Sequence, residues 1–174
     1  MKERLKVLSV MSMVLFLSLT VVSCSNDDEE KENNSIVGTW KFKSVAAGEI
    51  KTNSTTNDEK VKINVTSKAA SDFSGFIYVF REDKTVTLTD AKYTDDISNG
   101  TYTFKDGVLK LTWGSEDDYD IYNATLSDNI LTIEDDYVNY YDWLKQADQL
   151  SEIGIDDSDF QITKAAVKIS FNRQ

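Results

Sequence analysis

Cys24 is the only cysteine among 174 residues, and there is no histidine. That leaves a narrow chemistry. Without an imidazole, Ser-His-Asp and Cys-His catalysis are excluded. A single thiol likewise excludes disulfides, thiol redox pairs and the usual zinc sites. Carboxylates, tyrosines, lysines and oxygen-held metals remain. The seven glycines are scattered and form no phosphate-binding loop. No catalytic signature emerges, so the expectation is a non-enzyme with no cofactor and no metal. Only at Val21-Val22-Ser23-Cys24 do type and spacing specify a reaction. Lys2, Arg4 and Lys6 are followed by an apolar run from Val7 to Val22, then by small Ser23. That order describes a bacterial secretion signal, residues 1–23, whose cleavage exposes Cys24 for lipid attachment.

A membrane-spanning helix is the alternative for this run. Its sixteen residues at 1.5 Å each span about 24 Å, short of the roughly 30 Å hydrocarbon core. Ser9, Ser12, Ser18 and Thr20 dilute it further. Val21 to Cys24 resembles the bacterial lipobox: aliphatic, variable, small, then cysteine. The resemblance implies a diacylglyceryl thioether and an acylated (palmitate-type) amine on Cys24. Several chains at about 0.8 kcal/mol per buried CH₂ would anchor the protein stably. Residues 24–35 are polar and acidic and cannot offset their ordering entropy by burial, so they form a flexible tether. Asp27, Asp28, Glu29 and Glu30 resemble the surface-export signal of Bacteroidota lipoproteins, which implies an outer-membrane, cell-surface location.

The formal net charge is −11. Cleavage before Cys24 makes it more negative, because three basic residues leave with one acidic one. Such a chain lacks the clustered Lys and Arg that nucleic acid requires. The membrane is met through the lipid, not the domain.

The acidic clusters Asp95-Asp96, Glu116-Asp117-Asp118, Glu134-Asp135-Asp136 and Asp156-Asp157-Ser158-Asp159 offer oxygen ligands for calcium. None has the glycine and final glutamate of an EF-hand loop. Their carboxylate pairs lie at expected loops with no groove implied for glycoside hydrolysis. Solvated turns are the simpler reading. Tyr93, Tyr119, Tyr137, Tyr140 and Tyr141 could stack on sugar rings, or serve as rim and helix-packing residues.

What positions these groups is a sheet. From Ile36 onward apolar residues alternate with polar ones at period two. The alternation predicts strands near 38–46, 60–66, 76–81, 85–90, 100–105, 108–113, 120–126, 129–134 and 162–171, with a polar loop over 47–59. Asp106-Gly107 is the strongest hairpin signal. It pairs Phe104 with Leu109 and Tyr102 with Leu111. Asp128-Asn129 pairs Leu126 with Leu131, and Glu82-Asp83-Lys84 pairs Phe80 with Val86. All three hairpins put the large apolar residues on one face, and a one-residue slip would undo each. Lys41, Lys43, Lys110, Lys164 and Lys168 then point outward. Tyr140, Trp143, Leu144, Ala147 and Leu150 have helical spacing, with Asn139 as N-cap and Gly154 as the stop. The expectation is an all-β, antiparallel up-and-down barrel of about eight to nine strands, with one helix near the C-terminus.

Gly38-Thr39-Trp40 resembles the Gly-X-Trp opening of lipocalins. The order of Ile77 to Phe80, Gly100 to Phe104, Asp106-Gly107 and Leu109 to Leu111 resembles the lipocalin-like lipoproteins of Bacteroidota, over roughly Ile36 to Phe171. The family's Thr-Asp-Tyr motif has no recognisable counterpart. The resemblance implies a lipocalin-like barrel domain over 36–174, Trp40 plugging its closed end, and a late basic residue over that indole, here Arg173. It also implies a small apolar or amphipathic ligand. Inward Phe42, Tyr78, Phe80, Tyr102, Phe104, Trp113 and Tyr122 either line a ligand cavity or fill a small barrel. The rival reading is an interaction module that meets a glycan or protein partner through its loops and outer face.

Overall fold

The computed structural model describes residues 35–93, 96–155 and 159–174. The signal segment, Cys24 and the acidic tether as far as residue 34 lie outside the described residues, as do Thr94, Asp95 and residues 156–158. Eight strands run in chain order: β1 (Gly38–Thr52), β2 (Phe76–Phe80), β3 (Thr85–Asp90), β4 (Ile97–Lys105), β5 (Val108–Trp113), β6 (Tyr119–Ser127), β7 (Ile130–Asp136) and β8 (Ile162–Arg173). Each pairs antiparallel with the next, and β1 pairs with β8, closing an up-and-down barrel.

The hairpins follow their turn residues. Asp106 and Gly107 both have positive φ, 52° and 77°, as the tight loop demands. Phe104 faces Leu109, and Tyr102 faces Leu111. Leu126 faces Leu131, and Phe80 faces Val86. Lys84, at φ 67°, supplies the left-handed residue of the three-residue loop. Lys41, Lys43 and Lys168 are exposed. Lys164 pairs outside the barrel with Asp136 at 2.8 Å, and the Lys110 ammonium lies 4.3 Å from the Tyr119 ring centroid.

Two expectations fail in one place. Residues 60–66 are not a strand, and 47–59 is not a loop. β1 continues to Thr52, and Thr55–Phe73 is a helix, α1. Val61, Val65, Ala69 and Phe73 are all buried and recur every four residues, the spacing of one helix face. Ile63, which completed the apparent alternation, is 72% exposed. Asp58 in the first turn accepts from the Thr52 amide and hydroxyl, each at 2.7 Å, and complements the helix N-terminus. β1 stays paired with β8 through register shifts between Phe42 and Ser44 and between Ala47 and Ile50. These bulges bend it past the end of β2.

The second helix, α2 (Val138–Gln146), begins one residue before the expected cap, so Asn139 lies inside it and Tyr137 takes the N-cap position. Tyr141 and Leu144 are its buried residues. Trp143, assigned to the packed face, is 54% exposed, and Ala147 is also exposed. A 3₁₀ turn (Leu150–Ile153) follows and ends at Gly154 with φ 75°, so the glycine stop holds. The Tyr141 hydroxyl donates to the Val61 carbonyl of α1 at 3.1 Å. Both helices therefore sit together at the barrel end opposite the three tight hairpins.

That hairpin end is sealed by Trp40, which is fully buried and donates its indole N–H to the Ile36 carbonyl at 2.7 Å. Arg173 pairs with Trp40 in register, and its guanidinium lies 4.8 Å from the ring centroid. It also donates to the Ser35 carbonyl.

Candidate functional site at the helical mouth

The seven inward aromatics divide by depth. Phe80 stands 5.7 Å from Tyr78, nearly parallel, and 4.9 Å from Tyr102, edge-on. Tyr78 also meets Phe171 edge-on at 5.3 Å, and Phe171 meets Phe42 at 6.3 Å. With Leu109, Leu111, Leu131 and Ile133 these rings fill the half of the barrel nearer the hairpins. Phe104 packs at that end, and the Tyr102 hydroxyl is satisfied there by the Arg81 carbonyl at 2.9 Å. Phe42, Phe80, Tyr102 and Phe104 are thus packing. Trp113 and Tyr122, half-buried, lie toward the helices, with Tyr78 beneath them.

Strand parity brings carboxylates to the same inner surface. Leu131 and Ile133 point inward on β7, so Asp135 does too, opposite buried Val167. Ala124 and Tyr122 point inward on β6, so Asp120 does too, and it accepts the Trp113 indole N–H at 2.7 Å. Asp72 near the end of α1 accepts the Tyr137 hydroxyl at 3.1 Å and pairs with Lys68 at 2.6 Å. The mouth grades from exposed Asp120 through half-buried Tyr122 and Asp135 to Tyr78, which is 3% exposed.

Electrostatics tie these groups into one site. Burial raises the Tyr78 hydroxyl pKa, and the charges of Asp120 and Asp135 raise it further. Tyr122 is raised by burial and then by Tyr78, Asp120, Asp135 and Tyr137. Asp135 is itself raised, first by burial and then by Asp120, Asp136 and Asp72, against the lowering effect of the Asp136 N–H it accepts. Tyr137 is raised by burial, Asp72 and Asp135. All three tyrosines stay protonated at neutral pH, and the Tyr137 hydroxyl donates to Asp72.

Of the tyrosines packed into this barrel and its helices, Tyr102, Tyr137 and Tyr141 each donate to an oxygen. Tyr78 and Tyr122 have no hydrogen-bond partner among the described residues. Arg173 Nε is the only fully sealed side-chain polar atom without a partner among the described residues. The Tyr78 oxygen is therefore not fully sealed.

The other candidates fall elsewhere. Glu116, Asp117 and Asp118 are an exposed turn, closed by the Trp113 amide donating to the Asp118 carbonyl at 2.8 Å. Among the described residues no three acidic side chains are gathered closely enough to hold a metal ion. Tyr93 and Tyr119 are exposed, Tyr141 is core, and half-buried Tyr140 stacks against Trp143 at 6.3 Å. A depression of about 540 Å³ lies between Ala47 and the Ile63 side of α1. Two of about 250 Å³ lie along β6 and β7, where Asn123, Glu134 and Lys168 or Lys164 line them. All three open to the outer surface.

Sequence reading missed Asp120 and Asp135 as interior groups. The signal was present: continuing the parity of Tyr122 and Ile133 by two residues places both inside. Asp72 and Tyr137 depend on α1 and had no comparable signal.

No protein-family model matches the chain, and no curated protein does. Among solved structures, a DUF4847 family protein from Bacteroides vulgatus ATCC 8482 is similar at 14% identity and a TM-score of 0.40. The match covers 84% of this chain and 97% of that one.

Proposed function

We propose that this chain is a lipid-anchored binding protein of the outer membrane, displayed at the cell surface, that takes a small amphipathic molecule at its helical mouth. The observation that carries the reading is the Tyr78 hydroxyl, which has no hydrogen-bond partner among the described residues and belongs to a residue only 3% exposed. A ligand group that bonds this hydroxyl would gain a net hydrogen bond of about 0.5–1.5 kcal/mol. Tyr78, Trp113 and Tyr122 give an apolar wall with polar tips, the composition of small-molecule sites. The aromatic packing below them sets the depth, so the ligand lies in the mouth and does not run the length of the barrel. No reaction is ascribed to the site.

Small molecules extracted from the purified lipoprotein, measured by mass spectrometry, test this. The expected result is one amphipathic species in near-stoichiometric amount, depleted in Tyr78→Phe and Trp113→Leu preparations. Equal recovery from both variants would reject the site.

A second reading rests on Trp143, 54% exposed and stacked on Tyr140 beside the same mouth. That pair offers a flat platform to a sugar ring. Loss of glycan-array binding in Trp143→Ala would favour it.

A further inference from the structure

The mouth carries a charge imbalance that an amphipathic ligand must meet. Asp72 is neutralised by Lys68 at 2.6 Å. Asp120 and Asp135 are not paired with any cation among the described residues. Asp120 is held by the neutral Trp113 indole at 2.7 Å, and Asp135 accepts the Asp136 backbone N–H at 2.8 Å. Lys41, Lys43, Lys110, Lys164 and Lys168 all point outward. Asp120, exposed at the rim, and half-buried Asp135 lie on inward-pointing strand positions and repel each other, the more so where Asp135 is shielded from water.

We infer that the ligand's polar end is an organic cation, a protonated alkylamine, held between Asp120 and Asp135 against the faces of Trp113 and Tyr122, with the Tyr78 oxygen as a further acceptor. This rests on the ligand-binding reading given above and narrows it. Three features converge. The carboxylates supply the charge, and a bound ammonium removes their mutual repulsion. The indole and phenol rings supply the negative π-faces that attract a cation. The unpartnered Tyr78 hydroxyl can accept an N–H, which a purely apolar ligand would leave unmade. A metal ion fits poorly, because no three acidic groups among the described residues are close enough to share one. An ammonium does not require that closeness: its N–H donors point in different directions and its charge is met at longer range.

The arrangement also predicts a preference by ligand charge. A carboxylate-headed amphiphile of the same length would face the same two aspartates and be excluded. A neutral alcohol would keep the apolar contact and gain one hydrogen bond. Affinity should therefore fall in the order amine, alcohol, carboxylate.

Equilibrium dialysis at pH 7 provides the test, using the purified full-length lipoprotein in nanodiscs of zwitterionic lipid, with empty nanodiscs as the blank. The probes are hexylamine, hexan-1-ol and hexanoate. Hexylamine should bind at least ten-fold more tightly than hexan-1-ol, and hexanoate should not bind. Asp120→Asn combined with Asp135→Asn should abolish the preference. Asp120→Asn alone, at an exposed position where folding is not at stake, should remove part of it. A surface control replaces Glu116 by Gln and Asp117 and Asp118 by Asn and should change nothing. If hexan-1-ol and hexylamine bind equally to the wild type, the cation inference fails while the ligand-binding reading stands. If no probe binds, both fail. If the preference survives in the double variant or disappears in the surface control, it belongs to the protein's overall charge and the inference is overturned.

Discussion

Asp135 shows how one side chain couples the site to stability. Its folded pKa lies above the ordinary 3.8 because burial and then the charges of Asp120, Asp136 and Asp72 disfavour its ionised form. Tyr78, Tyr122 and Tyr137 also face it, as neutral hydroxyls. The folded state therefore binds this proton more readily than the unfolded chain does. Above pH 3.8 the unfolded chain ionises first, and stability falls as pH rises toward the folded value. Asp135→Asn removes that loss. The variant should melt at a higher temperature than wild type at pH 7, with the two curves converging near pH 3. Equal melting temperatures at pH 7 would show that Asp135 is well solvated. Arg173 makes the opposite kind of contribution. Its stacking on Trp40 at 4.8 Å should be worth about 0.5–2 kcal/mol. Arg173→Ala should lower the melting temperature by a few degrees and shift tryptophan emission, while Arg173→Lys should recover part of the loss. This contact was legible before any coordinates, through the Gly-X-Trp resemblance and the antiparallel return of the last strand. The inward aspartates were not. An acidic triplet at a strand end reads as a turn unless the strand is carried two residues further.

Elements were legible where two signals agreed. In the three hairpins, turn residues and alternation independently give one register, and every pairing they imply is present. The failure at 60–66 arose where alternation stood alone. Val61, Ile63 and Val65 satisfy period two, but Val61 and Val65 equally satisfy a four-residue spacing that continues through Ala69 to Phe73. Extending the window separates the readings, since no strand keeps an apolar residue at every fourth position only. The two assignments differ in what Ile63 does. In a strand it would share the buried face with its neighbours; on α1 it faces solvent. Ile63→Ala should therefore change stability by less than about 0.5 kcal/mol, whereas Val65→Ala should cost about 2 kcal/mol through lost burial and a residual cavity. Urea denaturation of the two variants distinguishes the alternatives, and a comparable loss for both would contradict the helix. The same error hid half the site, because Asp72 reaches Tyr137 only from a helix over the barrel end.

At the scale of the whole molecule, barrel, charge and anchor make separate contributions. Pairing of β1 with β8 closes the ring and covers the edge each would otherwise offer to another chain, while β1 beyond Lys41 runs past β2. The net charge of −11 opposes adsorption of the domain to anionic lipid. On the proposed lipoprotein reading, membrane residence would rest on Cys24, and several acyl chains there would suffice at about 0.8 kcal/mol per buried CH₂. Cys24→Ala should abolish palmitate labelling, and labelling that persists would mean the lipid sits elsewhere. On the same proposal, the acidic run Asp27 to Glu30 would govern a different step. Replacing Asp27, Asp28, Glu29 and Glu30 by alanine leaves the thiol and its preceding residues untouched, so lipidation should continue. Surface accessibility should not: protease added to intact cells should degrade the wild-type protein and spare the variant, while both are degraded once the outer membrane is opened. Because labelling and accessibility are read on the same cells, a variant that stays labelled and stays accessible would reject surface export by the acidic run while leaving the anchor in place. Export also bears on the ligand. A mouth that faces the medium meets molecules from outside the cell, so the amphipathic species recovered with the wild type should be depleted in a variant retained inside.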